Sequence, residues 1–283
     1  MSKKKTLFEE SLIKNNNAYR YYLDLLTELS ISSFEWTGLP DTVDSRYIEL
    51  QLFMQGSAVY FNDEVIGNLA LSCVQHGNFN VYGEPIKREA YSNYNNYRKM
   101  LNENDSVIIW NNLTRSPAYY NCFHFAMRLW NLDRIIEVNA NAQKTPVLIQ
   151  SSEKQRLTML NLYKEFDGNQ PFIFGDKNLD LNSIKAISTQ APYICDKITD
   201  LKSNIWNEAL TYLGIANVSY QKKERMVSDE VSRMMGGVIA NRNSRLKARQ
   251  VAVEKINKMF GTDIKVEFRE VSFKDESAGD GNE

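Results

Sequence analysis

Two long amphipathic stretches separated by a short mixed segment constrain the fold of this chain more than any other feature. From about Pro117 to Asn141, Tyr120, Phe123, Met127 and Trp130 share one helical face, and Leu129, Leu132 and Ile136 widen it. Ser116 and Pro117 read as the N-cap and first residue of that helix. At about 1.5 Å per residue it is a rod of roughly 35 Å. A second rod opens at Pro192. Ile194, Ile198, Leu201, Ile205, Ala209 and Leu213 recur at spacings of three and four, and Gly214 ends it. Its other face carries Asp196, Asp200, Ser203, Asn207 and Thr211, with Lys197 on the border. Between the rods, the pattern predicts a strand after Pro146, a helix over Glu153 to Phe166, a strand over Pro171 to Phe174 and an extended piece near Ile184 to Thr189. The expected arrangement is two rods with a small α/β knob between them.

The flanking segments are shorter and more varied. A helix is expected from about Asn17 to Phe34, stopped by Gly38 and Pro40, and another from Asp44 to Met54 with Gly56 behind it. From Ala58 to Arg115, short β-rich runs (SAVYF, VIGNLAL, FNVYG, SVIIWNN) predict a small barrel or meander of about five strands. The Tyr/Asn tract from Ala90 to Leu101 reads as a loop or connector inside it. A charged helix is expected at Lys222 to Ser232 (KKERMVSDEVS). A Met/Gly-rich loop follows from Met234 to Arg245, carrying Met235, Gly236, Gly237 and Arg242. A final helix from Asn243 to Phe260, a strand from Ile264 to Arg269 and an acidic, Gly-rich tail complete the reading.

Charge and composition exclude several functions. The chain has 283 residues, with 34 Lys+Arg against 35 Asp+Glu and a net charge of -1. A protein that grips nucleic acid tightly on its own carries a basic excess, which is missing here. Cys73, Cys122 and Cys195 are scattered without metal-ligand spacing and predict reduced, buried thiols in a soluble intracellular protein. No apolar run is long enough to span a membrane, and the N-terminus lacks a signal-type apolar region. His76 and His124 lie in different elements, and neither a Walker A loop nor a G-x-S-x-G elbow is present. The expectation is therefore no enzyme activity, no cofactor and no metal.

Several colinear segments resemble one family. They are FEWTGLP (Phe34 to Pro40), VNANAQKTPVLI (Val138 to Ile149), EFDGNQPFIF (Glu165 to Phe174), APYICDK (Ala191 to Lys197), WNEALTYLGI (Trp206 to Ile215), KKERMVSDEVS, and EKINKMFGTDIKVEFR (Glu254 to Arg269). Together they are similar to the portal, or upper-collar head-tail connector, of small protein-primed podoviruses of the Picovirinae type. The resemblance implies a mainly α subunit with small β modules, assembled as a dodecameric ring at the portal vertex of the virion after synthesis in the host cytoplasm. It divides the chain into an N-terminal arm with wing helices (1–57), an SH3-like β-rich wing module (58–115) and a stem helix (116–146). An α/β clip (147–190), a second stem helix (191–221), a charged helix with a tunnel loop (222–246), a crown helix and strand (247–272) and a disordered acidic tail (273–283) follow.

The implied function is a channel through which double-stranded DNA is packaged, retained and ejected. Its implied partners are further copies of the chain, DNA without sequence preference, major capsid and scaffolding proteins, a packaging ATPase, and the lower collar or tail. By the same resemblance, Lys197, Lys222 and Lys223 are channel lysines, and Ser188 stands where the family has another. The segment Val231 to Arg245 corresponds to the tunnel loop, with Arg233, Arg242 and Arg245 as its basic residues. Lys3, Lys4 and Lys5 correspond to a basic arm that contacts a packaging RNA or the motor in some members. Each site has a plain alternative. Lys197 pairs with Asp200 at i,i+3, Lys222 and Lys223 pair with Glu224 or Asp229, and the N-terminal lysines are simply solvated. A collar or tail adaptor ring that touches only protein is the competing function.

Overall fold

The computed structural model describes residues 19–143, 147–149, 184–186, 192–216 and 228–269. These fall into two units, one up to Trp130 and from Ser203 onward, the other between Asn131 and Lys202.

In the first unit, helix α1 (residues 19–31) leads through a turn into strand β1 (Phe34–Thr37). The helix ends three residues earlier than its apolar pattern predicts, and Phe34 lies on the strand. Ser33 Oγ donates to the Leu29 carbonyl at 2.5 Å, which closes the last helical turn, and β1 pairs antiparallel with β9 (Lys265–Phe268). Gly38 follows at φ +71°, where a Cβ would sit 2.2 Å from the Asp263 carbonyl oxygen. Gly38→Ala therefore adds left-handed backbone strain to a clash with main chain. It is expected to cost more than about 2 kcal/mol, read as a lower urea midpoint. Helix α2 (Ser45–Gln55) has Asp44 as its N-cap, its side chain accepting from Arg46 N–H, and Gly56 as its C-cap.

Strands β2 (Ser57–Asp63), β3 (Gly67–Phe79), β4 (Pro85–Tyr91), β5 (Arg98–Asn102) and β6 (Ser106–Trp110) form one antiparallel sheet in the order β5-β4-β3-β2-β6. The Tyr/Asn tract is the end of β4, a turn and the start of β5. β5 and β6 are the two edges, yet only three residues separate them in sequence. A flat five-stranded sheet would hold its edges about 19 Å apart at roughly 4.8 Å per strand. Four chain steps reach only about 14 Å, so the sheet must curl into a small barrel. β2 is buried on both faces. Ala58 and Tyr60 pack with α2, β9 and the last long helix, while Val59 and Phe61 fill the barrel with Cys73, Leu101 and Ile108.

Asp63 ties the β2–β3 hairpin to β5. Its carboxylate accepts from Tyr97 Oη–H at 2.6 Å, from Val65 N–H at 3.0 Å and from Lys99 Nζ at 3.2 Å. These donors, Tyr97 first, hold its carboxyl well below the usual range. A folded-state pKa below the unfolded value of about 3.9 contributes stability above that pH and loses it on acidification. Asp63→Asn is expected to flatten the fall in stability below about pH 4, measured by urea titrations across pH.

Helix α3 (Tyr119–Ala142) begins two residues later than the Ser-Pro signal predicts. The amides of Asn111 and Asn112 donate to the Ser116 carbonyl, Ser116 N–H donates to Asn112 Oδ1, and Ala118 supplies the first helical carbonyl. Helix α4 (Cys195–Leu213) likewise starts three residues after Pro192. It ends in a Schellman motif, with Ile215 N–H donating to Leu210 O, Gly214 N–H donating to Thr211 O, and Gly214 at φ +77°. Within the first unit, α3 and α4 meet through Asn121 with Tyr212 and Arg128 with Glu208.

Within the second unit, Lys202 Nζ contacts Asp133 at 2.5 Å, and Asn139 caps the start of α4. Strands β7 (Val147–Ile149) and β8 (Ile184–Ala186) pair antiparallel, at the two places where the pattern predicts extended chain. The helix expected at Glu153 to Phe166 and the strand expected at Pro171 to Phe174 lie outside the described residues.

The largest correction concerns the segment after the charged stretch. The loop expected over Met234 to Arg245 is helical, part of one 33-residue helix, α5 (Ser228–Phe260). Val238, Arg242, Arg245, Arg249, Ala252 and Ile256 recur at spacings of four and three, and all are buried or half-buried. Packing along that stripe outweighs the cost of two helical glycines, about 1 kcal/mol each.

Candidate functional site

The three arginines on the α5 stripe form the most strongly organised polar cluster among the described residues. Arg249 is fully buried and uses every N–H it has. Nε donates to Glu49 Oε1 at 2.8 Å and Nη2 to Glu49 Oε2 at 2.7 Å. Nη2 also reaches Asn111 Oδ1 at 3.3 Å, and Nη1 donates to the carbonyls of Asn111 and Arg245. Glu49 takes a further bond from Trp36 Nε1–H at 2.9 Å. The Arg249 guanidinium lies 4.0 Å from the centre of the Phe34 ring, and that of Arg245 lies 5.1 Å from it.

Arg245 and Arg242 serve a second purpose, capping α4. The end of a helix leaves carbonyls without partners and carries partial negative charge. Arg245 Nη1 donates to Leu213 O at 2.8 Å, Arg242 Nε to Gly214 O at 3.1 Å, and Asn241 Nδ2 to Thr211 O at 3.0 Å. Arg245 also bonds the Ser30 hydroxyl, and Arg242 stacks on Phe268 at 4.0 Å. Burial, aided by the neighbouring Arg249 charge, lowers the Arg245 pKa to about 10, so it stays cationic at neutral pH. Arg242 and Arg245, expected on a tunnel loop, thus occupy packing positions in this structure. Met235 is half-buried, while Gly236 and Gly237 are exposed on the same helix. Arg233 and Met234 lie on its first turns, and their side chains fall outside the described residues.

Of the expected channel lysines, Lys197 is described, and it is exposed. It sits in the first turn of α4, where a cation opposes the helix dipole. That turn is held by Asn139, whose Oδ1 accepts from Ile194 N–H at 3.0 Å and whose Nδ2 donates to Pro192 O at 2.9 Å. The pairing of Lys197 with Asp200 is not formed, and among the described residues Lys197 has no ion-pair partner. Lys222, Lys223, Ser188 and the N-terminal Lys3, Lys4 and Lys5 lie outside the described residues.

The remaining chemistry is plain. Cys73, Cys122 and Cys195 are free and buried, and burial pushes the Cys73 and Cys122 thiols up to about 12, far from a reactive thiolate. His76 pairs with Glu89 at 2.8 Å, and His124 packs beside Phe125. Among the described residues, no cluster of His, Cys, Asp and Glu has the makings of a metal site, and no helix is long and apolar enough to cross a membrane. Sequence reasoning missed the Arg249–Glu49–Asn111–Trp36 network. The signal that reveals it is the four-three spacing of arginines in register with Val238, Ala252 and Ile256.

Comparison with known proteins agrees with this architecture. Residues 3–272 match the family described as Phage Connector (GP10). Among solved structures, the chain is similar to one in the portal and tail of native bacteriophage P68. The TM-score is 0.52 at 16% identity, covering 96% of this chain and 93% of that one. It is also similar to an HK97 family phage portal protein from Corynebacterium diphtheriae, with a TM-score of 0.42 at 12% identity, covering 89% of this chain and 92% of that one. A chain of the virion of a native gene transfer agent particle matches with a TM-score of 0.44 at 10% identity, covering 89% and 80%. The P68 match identifies the fold as portal-type.

Proposed function

This chain belongs to the phage connector family, and from that premise we propose that its copies close into a ring at the portal vertex of the virion, around a channel that carries double-stranded DNA. The observation that carries the reading is a family match over nearly the whole chain, joined to a portal-type fold. The role is structural. The ring guides the genome and offers docking faces to the capsid, the packaging motor and later the tail, while the energy for packaging comes from a separate protein.

In this reading α3 and α4 are the stem, residues 147–190 the clip, the curled sheet the wing and the C-terminal half of α5 the crown. The dodecameric count is part of the same proposal. Lys197 fits a channel position because it is exposed, lacks an ion-pair partner among the described residues and sits where a cation does nothing for its own helix. Asp196 and Asp200 are exposed on the same two turns. Repeated around a ring, such a belt touches a duplex carrying about one charge per 1.7 Å weakly and without sequence preference, which suits sliding. Lys222 and Lys223 would add a second belt. A packaging RNA contact at Lys3, Lys4 and Lys5 is a further part of the proposal.

The test has two arms. Electron microscopy of the purified chain is expected to show rings with an axial hole wide enough for a duplex, and particles without one would overturn the reading. In particles assembled with Lys197→Ala, Lys222→Ala and Lys223→Ala together, rings are expected to form normally and packaged DNA to leak or fall in amount. Unchanged retention would remove the lysines from the channel and favour an adaptor that touches only protein.

A further inference from the structure

A cleft of about 540 Å³ opens between the barrel and the C-terminal half of α5. Its apolar walls are Val107 and Trp110 on β6 and Val251, Ala252 and Met259 on α5. Its charges do not cancel. Arg115 and Glu84, both on the lining, are bonded to each other at 3.2 Å. That leaves Arg88, Lys255 and Lys258 against one further carboxylate, Glu103. Among the described residues none of these three cations has an ion-pair partner. Lys255 and Lys258 are exposed, while Arg88 is 6% exposed and spends Nη2 on Pro85 O at 2.8 Å. A half-apolar hollow with spare cations suits an apolar group that carries a carboxylate beside it.

The chain displays such a group elsewhere on its own surface. The turn between β2 and β3 reads Glu64-Val65-Ile66. Val65 is 93% exposed and Ile66 48%. Glu64 is exposed and has no ion-pair partner among the described residues. The turn is held in one shape. Asp63, already tied to Tyr97 and Lys99, accepts from Val65 N–H at 3.0 Å and from Ile66 N–H at 3.2 Å. Thr42 Oγ1 donates to Asn68 O at 2.6 Å on the other side. An apolar tip fixed in this way loses little freedom when it is buried. It does not fill the cleft of its own subunit, since none of its three residues lines that cleft and Val65 stands in water.

The geometry points to the Glu64-Val65-Ile66 turn of a second copy of this chain as the occupant of the cleft, an inference that rests on the ring reading above. Val65 and Ile66 seat against the apolar walls, and Glu64 lies beside Lys255 and Lys258. Burial of the two apolar side chains supplies the attraction, and the charges set the orientation. Val81 and Tyr82 form the other exposed apolar tip, but they share their turn with Glu84, which lines the cleft and is already paired, so they belong to its rim. Turn and cleft are different patches. Each copy therefore receives a turn from one neighbour and offers its own to the next, the head-to-tail contact from which closed rings are built.

The experiment uses the full chain. Two versions are co-expressed, one with Val65→Cys and the other with Lys255→Cys, and the purified assembly is oxidised. A disulfide joining the two substituted positions is expected, and it can form only between copies. None is expected when Lys247→Cys, on an exposed part of α5 outside the cleft, replaces Lys255→Cys. The three native cysteines are buried and stay out of the exchange. In parallel, rings of Val65→Ser and of Glu64→Lys are diluted and weighed by mass photometry. Each is expected to dissociate at about tenfold higher protein concentration than the unaltered chain, while the urea midpoint of the free subunit stays the same. Glu64→Lys joined to Lys255→Glu and Lys258→Glu is expected to regain ring stability. Rings that form without the disulfide, or that dissociate alike in both variants and the unaltered chain, would overturn this docking and leave the ring reading standing. An unaltered chain that forms no ring would overturn both.

Discussion

Arg249→Met is expected to destabilise the subunit by about 3–5 kcal/mol, the cost of leaving one charge of a buried pair alone. Glu49 is 2% exposed and would keep its carboxylate beside Trp36 with two guanidinium bonds gone. The Asn111 and Arg245 carbonyls would lose donors as well, and Phe34 would lose the cation stacked on its face. The thermal midpoint is expected to fall on the order of 10 °C, at about 2–4 °C per kcal/mol for a chain of this size. The paired variant Glu49→Leu with Arg249→Met removes both charges and is expected to recover much of the loss, because two apolar groups of similar volume leave no carboxylate stranded. A loss below about 1 kcal/mol for the single variant would mean that water reaches the site and the network is not buried as described. If the single variant fails to accumulate, the double variant still decides the matter through its own urea midpoint.

This cluster also marks where sequence reading stops. The apolar periodicities of α3 and α4, the Asp44 and Gly56 caps of α2 and the alternation of SAVYF each announce their element, because one local rule dominates there. Arg242 and Arg245 obey two rules at once, while Arg249 falls on the helix expected from Asn243 to Phe260. By residue type, arginines beside Gly-Gly and Asn read as an exposed, DNA-facing loop. By position, they fall on the buried stripe of a helix, a choice that only their partners decide. The partners of all three are Glu49, Asn111, Leu213 O and Gly214 O, between 28 and 200 residues away along the chain. No window of sequence contains them. Phe34 fails for a related reason, since its strand exists only because Phe268 pairs with it. Lys197 is the opposite case. Its exposure was legible from the border of a helical stripe, because a solvated position needs no distant partner to define it.

Gly236 and Gly237 turn the helix-or-loop question into a measurement with opposite signs. Both lie inside α5, are exposed and have helical rather than left-handed backbone. A Cβ on Gly236 would meet nothing within 4 Å, and one on Gly237 would rest 3.4 Å from Thr211 Cγ2, an ordinary contact. Replacing both with alanine is therefore expected to stabilise the free subunit by about 1–2 kcal/mol and to raise its helical circular dichroism. Gly237→Pro is expected to cost about 3 kcal/mol or more, since the ring removes a helical N–H and collides with the carbonyl four residues earlier. A loop at this place would reverse the logic, with proline tolerated and alanine neutral or harmful. The same pair of variants tests whether the segment stays helical in the proposed ring. Should assembled particles need it to unwind toward the channel, the alanine variant would make a more stable subunit and a poorer DNA-retaining particle. Gain in both would mean that the helix persists through assembly, with Arg242 and Arg245 still capping α4 and the channel contacts left to the lysines.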